Sequence, residues 1–137
     1  MDFIFDPSLV LYLPLYKMDG ASFMSKDAYG HLGTVTGAVW TPQGRSFDGS
    51  DDFINCSNDA SLALEDEFTV GLWENINSSI YYRWLVAKGD AVASFNQNYG
   101  IIILDNNQIY GLVRNKANDT TWGNYFRNPA SSIIQGG

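Results

Sequence analysis

The sequence holds 137 residues, with 15 Asp and Glu against 8 Lys and Arg and a formal net charge of −7 at pH 7. That length suits one domain with one continuous core, and 45% hydrophobic against 17% charged residues excludes a disordered chain. The acidic balance excludes nucleic acid and anionic membrane surfaces as partners, because phosphate contacts need clustered Lys and Arg.

In chain order, Leu9-Val10-Leu11-Tyr12-Leu13 predicts a buried strand that Pro14 ends, having no N–H to donate. The acidic start Met1-Asp2-Phe3-Ile4-Phe5-Asp6 and the break at Pro14 predict neither a secretory signal nor membrane insertion. Residues 18–33 carry Asp19-Gly20, Lys26-Asp27 and three glycines, the marks of a long connection. Thr34-Val35-Thr36 and Ala38-Val39-Trp40 predict short strands separated by a bend at Gly37. Residues 45–48 and 53–56 predict a pair of strands, with Asp48-Gly49 and Asp51-Asp52 as the turn chemistry between them. Cys56, the single cysteine, allows no intrachain disulfide and reads as a small buried strand residue.

Residues 68–73 alternate, with Phe68, Val70 and Leu72 on one face and Thr69, Gly71 and Trp73 on the other, which predicts a strand covered on at least one side. Residues 83–90 and 99–104 predict two further strands, and Asp105-Asn106-Asn107 turns the second into a hairpin with residues 108–114. With no useful helical periodicity, this order predicts an all-β, antiparallel β-sandwich occupying 1–137 as a single domain. The stretch 115–137 is a poorly patterned tail rich in Asn, Gly and Ser.

The run Arg45-Ser46-Phe47-Asp48-Gly49-Ser50-Asp51-Asp52-Phe53-Ile54, followed by Phe68-Thr69-Val70-Gly71-Leu72-Trp73, resembles the laminin G-like, or concanavalin A-like lectin/glucanase, jelly-roll family. The resemblance spans roughly residues 9–114 and includes the order of the strands. Gly71 stands where members commonly carry Glu, the loop around Asp27 is shorter than theirs, and the later Trp-His strand and the closing strand are not found. The resemblance therefore implies a jelly roll that is incomplete in this chain. Open sheet edges imply pairing with another chain or with a longer polypeptide.

For chemistry, Glu65-Asp66-Glu67 is the dense carboxylate cluster near a strand. A retaining glycosidase needs two carboxyls about 5–5.5 Å apart across a cleft, whereas consecutive residues point to opposite faces; a solvated turn is the expectation. His31, the single histidine, excludes a multi-His zinc site and reads as a loop residue, and no Gly-x-Ser-x-Gly elbow presents a serine to it.

Calcium is the metal that the resemblance implies. Asp27 in Lys26-Asp27-Ala28-Tyr29-Gly30 matches the aspartate of the family's Asp-x-x-Gly loop, against the simpler reading that it caps a turn. For carbohydrate, flat aromatic faces stack on sugar C–H surfaces beside polar side chains. Tyr81, Tyr82 and Trp84 around Arg83 form one such group, and Trp122 with Tyr125 among Asn118, Asp119 and Asn124 forms a second. Aromatics in sandwiches otherwise fill the core.

The expectation is a non-catalytic recognition module that binds a glycan or glycoprotein surface through rim loops, in an extracellular or virion-associated setting. The alternative is a structural or adhesion module of a virion, tail fibre or large surface protein, with protein partners. A glycoside hydrolase is the remote third.

Overall fold

The computed structural model describes residues 6–64, 67–76, 83–89, 97–104, 108–113 and 125–127. These residues form nine strands, all antiparallel where paired, and two short 3₁₀ turns. The protein is thus all-β. It divides into two compact units, Met1–Leu62 and Ala63–Gly137.

In the first unit, β1 (Ser22–Met24), β2 (Leu32–Thr36) and β5 (Phe53–Asn55) form a three-stranded sheet in the order β1-β2-β5. β3 (Val39–Thr41) and β4 (Gly44–Ser46) form a separate hairpin. The bend expected at Gly37 is there, at a φ of +73°, which an L side chain rarely adopts. Two expectations are corrected. The stretch 45–56 is not a strand pair: β4 joins β3, and β5 joins β2 in the register Val35↔Ile54. The acidic loop between them therefore links two sheets.

Residues 9–13 form no strand either. Tyr12 donates its N–H to Asp27 Oδ2 at 2.9 Å and its carbonyl accepts from Lys26 at 2.9 Å. Bonds to a side chain and a loop thus replace a ladder, and Pro14 leads into the 3₁₀ turn Leu15–Lys17. The connection over 18–33 in turn contains β1, which the glycines masked.

Met18, Ala38 and Leu62 are buried in this unit. Arg45 fastens it: Nη1 donates to Ala38 O at 3.1 Å, and Nη2 donates to Met18 O and Gly20 O, each at 2.6 Å. Its guanidinium also lies 5.7 Å from the centroid of the Phe23 ring, and that ring covers Gly33 on β2.

The second unit is built on β6 (Arg83–Gly89), β7 (Gln97–Ile103), β8 (Ile109–Val113) and β9 (Tyr125–Arg127), a four-stranded sheet in that order. β7 lies inside the sheet, and Ile102 and Ile103 on its two faces are both buried, as the unbroken Ile101-Ile102-Ile103 run requires. The expected strands at 83–90, 99–104 and 108–114 are present. The tail, read as poorly patterned, contributes the short strand β9. The turn at 105–107 lies outside the described residues. Residues 68–73, by contrast, are not a paired strand. Among the described residues no helix is long and apolar enough to cross a membrane.

Candidate functional site

Trp84 sits on β6 opposite Ile102 of β7. Its indole leans along the sheet over Gly100, where a β-carbon would come within 2.8 Å of Trp84 Cζ3 and 2.8 Å of the Val86 carbonyl oxygen. Glycine is therefore required beneath the ring, and the register shift between Trp84 and Val86 lets the indole settle there. The sheet backbone supports the indole while 38% of the residue's surface stays exposed. An aromatic held this way can stack on an apolar ligand face without losing much conformational freedom on binding.

The register extends that face. Gly100 pairs with Leu112 and Leu112 with Tyr125, while Ile102 pairs with Tyr110 and Tyr110 with Arg127. The Tyr125 position thus falls in the same cross-strand row as Gly100, and two of the sequence candidates, Trp84 and Tyr125, occupy positions on one face. Tyr110 donates its hydroxyl to Gln108 Oε1 at 3.1 Å. Tyr81, Tyr82 and Trp122 lie outside the described residues.

Arg83 belongs to the opposite face, in the row Ile103–Ile109. Its Nε and Nη2 are buried without a hydrogen-bond partner. Burial pushes the Glu74 carboxyl above its ordinary value, and the charge of Arg83 partly opposes that rise. Trp73, next in the chain, is fully exposed. Sequence reasoning placed it in a covered strand; the signal of its exposure was its sharing a side with the small and polar Gly71 and Thr69.

Asp27 is engaged with the backbone. Oδ2 accepts from Tyr12 N at 2.9 Å, and Oδ1 accepts from Tyr29 N at 2.9 Å and Gly30 N at 3.1 Å. Burial raises its carboxyl, but the hydrogen bonds from Ser25, Tyr12, Gly30 and Tyr29 outweigh that and hold it below its ordinary value. A carboxylate offers about four lone-pair sites, so a calcium ion at Asp27 would have to displace these bonds. The same carboxylate charge, after burial, raises the Cys56 thiol.

A second acidic group lies in a stretch read in the sequence as turn chemistry. Asp48, Asp51 and Asp52 each bring a carboxylate oxygen within 4.8 Å of the others, donors that suit a hard cation. Two of them also serve the loop: Asp52 Oδ2 accepts from Asp48 N at 2.8 Å and Asp48 Oδ1 from Ser50 N at 2.8 Å. In the carboxylate cluster 65–67, Glu67 is exposed and the other two lie outside the described residues.

His31 directly precedes β2, as the loop reading expected, yet it is buried. Its N–H donates to Ser25 Oγ at 2.8 Å, and its ring stacks on Tyr29 at 6.0 Å between centroids. Ser61 Oγ lies 2.8 Å from Asp59 Oδ1, to which it can donate, and 3.1 Å from His31 Nε2.

No family model matches the chain, and no curated protein or solved structure matches it.

Proposed function

We propose that the protein is a non-catalytic recognition module of the laminin G-like jelly-roll type, binding carbohydrate or a glycoprotein surface outside the cell or on a virion. The observation that carries this reading is the indole of Trp84 seated over Gly100 with its outer surface open. The Tyr125 position falls on the same sheet face. Sugar recognition uses such flat apolar surfaces with polar groups at their margin. Calcium enters through the resemblance at Asp27, and the occupied oxygens of that carboxylate weigh against it.

The test is glycan-array binding of the folded protein, once in calcium and once in chelator, with Trp84→Ala in parallel. Binding that the substitution abolishes supports the carbohydrate reading, and the chelator arm reports on calcium. Absence of binding to every glycan in both buffers overturns it.

A second reading, a structural module with protein partners, is favoured by one face of the first unit's larger sheet. Met24 stands opposite Leu32, and Phe53 opposite Thr36, and all three apolar side chains are about half exposed. Such a row suits burial against protein.

A further inference from the structure

Residues 68–73 have a strand's composition and alternation, but they are not in a sheet. Among the described residues, the N–H and C=O groups of 67–76 have no hydrogen-bond partner in the protein. Phe68 packs its ring on Tyr99 of β7 at 5.1 Å between centroids, which anchors the start of the segment to the second unit. Phe68 and Val70 are half-buried while Thr69, Leu72 and Trp73 are exposed. At Gly71 a β-carbon would meet nothing within 4 Å, so a neighbouring backbone has room to approach.

We propose that this segment is an open strand which pairs, through backbone hydrogen bonds, with an extended segment of another protein that carries Lys or Arg at its ends. Backbone pairing supplies affinity in such β-augmentation, and alternate side chains supply selectivity. The charge requirement comes from the flanks: Glu65, Asp66 and Glu67 precede the segment, Glu74 follows it, and no Lys or Arg occurs between positions 65 and 82. A second copy of this chain fits poorly. Antiparallel self-pairing brings two copies of these cation-free acidic flanks together, and when centred on Val70, one of the registers that keep Phe68, Val70 and Leu72 of both copies on one face, it sets Glu74 opposite Asp66. This inference is independent of the carbohydrate reading.

The experiment titrates the protein against a labelled eight-residue peptide of alternating valine and threonine with lysine at both ends, read by fluorescence polarisation. Amide hydrogen exchange follows residues 68–73. The expected result is slowed exchange at those amides, and binding at least tenfold tighter than for a glutamate-ended peptide or one N-methylated at alternate amides. Val70→Pro, which removes an N–H, should abolish binding. Because that variant can also fail to fold, Gly71→Val is the second test: with open space at the site and a better strand former, it should bind several-fold more tightly. Equal binding of the N-methylated or glutamate-ended peptide, absence of binding, or no gain in Gly71→Val overturns the proposal. Concentration-dependent dimerisation that protects the same amides overturns the choice of a basic partner. Glycan binding read on the same samples keeps a failure of the carbohydrate reading separate.

Discussion

The carboxylate of Asp52 occupies the space that a β-carbon on Gly37 would need: Oδ1 and Cγ of Asp52 both lie too close to admit one. The same carboxylate caps the N–H of Asp48, so the bend that ends β2 and the loop that leads into β5 are fixed by one side chain. Gly37→Ala meets two penalties, the positive φ and the displaced carboxylate. It should lower stability by roughly 2–3 kcal/mol. In an Asp52→Ala background the cost should fall toward the roughly 1–2 kcal/mol of the backbone term alone. Urea denaturation of the four proteins of this cycle measures it, and strictly additive losses would show that the two residues do not interact.

Arg45 serves three carbonyls on two segments with a planar fork that Lys cannot imitate. Arg45→Lys keeps the charge and loses the geometry, so it should destabilise the first unit by about 2 kcal/mol. Arg45→Ala, which leaves three acceptors without their donor and uncovers Phe23, should cost more. Equal midpoints for Arg45→Lys and the parent in a urea titration would refute the assignment.

Asp27 makes stability depend on pH in a defined direction. Its carboxyl is held below its ordinary value in the folded protein by the hydrogen bonds it accepts. The unfolded chain therefore takes up its proton first, and the contribution is present above that value and lost as pH falls through the folded one. Asp27→Asn should remove this part of the acid limb. It also sets an amide donor or a lone acceptor against the Tyr12, Tyr29 and Gly30 N–H groups, at a cost of about 1–3 kcal/mol near neutral pH. Thermal melts from pH 7 down to acid, with parent and variant compared, read both effects. Parallel curves would sink the linkage.

Ile103 and Trp73 make a contrast in the second unit. Ile103 is 1% exposed and Trp73 fully exposed. Ile103→Ala should cost about 2–5 kcal/mol through lost burial and a cavity. Trp73→Ala should change stability by less than about 0.5 kcal/mol despite removing a far larger side chain. A large loss in Trp73→Ala would mean that the open segment carries weight in the isolated fold.

The parts of the fold legible in the sequence were those where local pattern and tertiary pairing agree. Residues 83–90, 99–104 and 108–114 alternate or run apolar between turn signals, and β6, β7 and β8 form there. Pairing partners were not legible. Nothing local in Phe47-Asp48-Gly49 says that β4 and β5 belong to different sheets, since turn residues mark where a chain bends and not which strand it next meets. Residues 9–13 and 68–73 have strand propensity without a ladder, because propensity states what a segment tolerates and neighbours decide what it does. Of the candidate site, Trp84 was visible by residue type. Gly100 beneath it was not, because the contact depends on a bulged register that sequence spacing does not encode.

The Trp84–Gly100 contact also constrains how this protein can diverge. A bulkier residue at position 100 would have to displace both the indole at 84 and the Val86 carbonyl of the neighbouring strand, so replacing the tryptophan alone does not free the position. The dependence therefore runs one way: a side chain at 100 should dislodge the indole, whereas loss of the indole should leave glycine still required at 100.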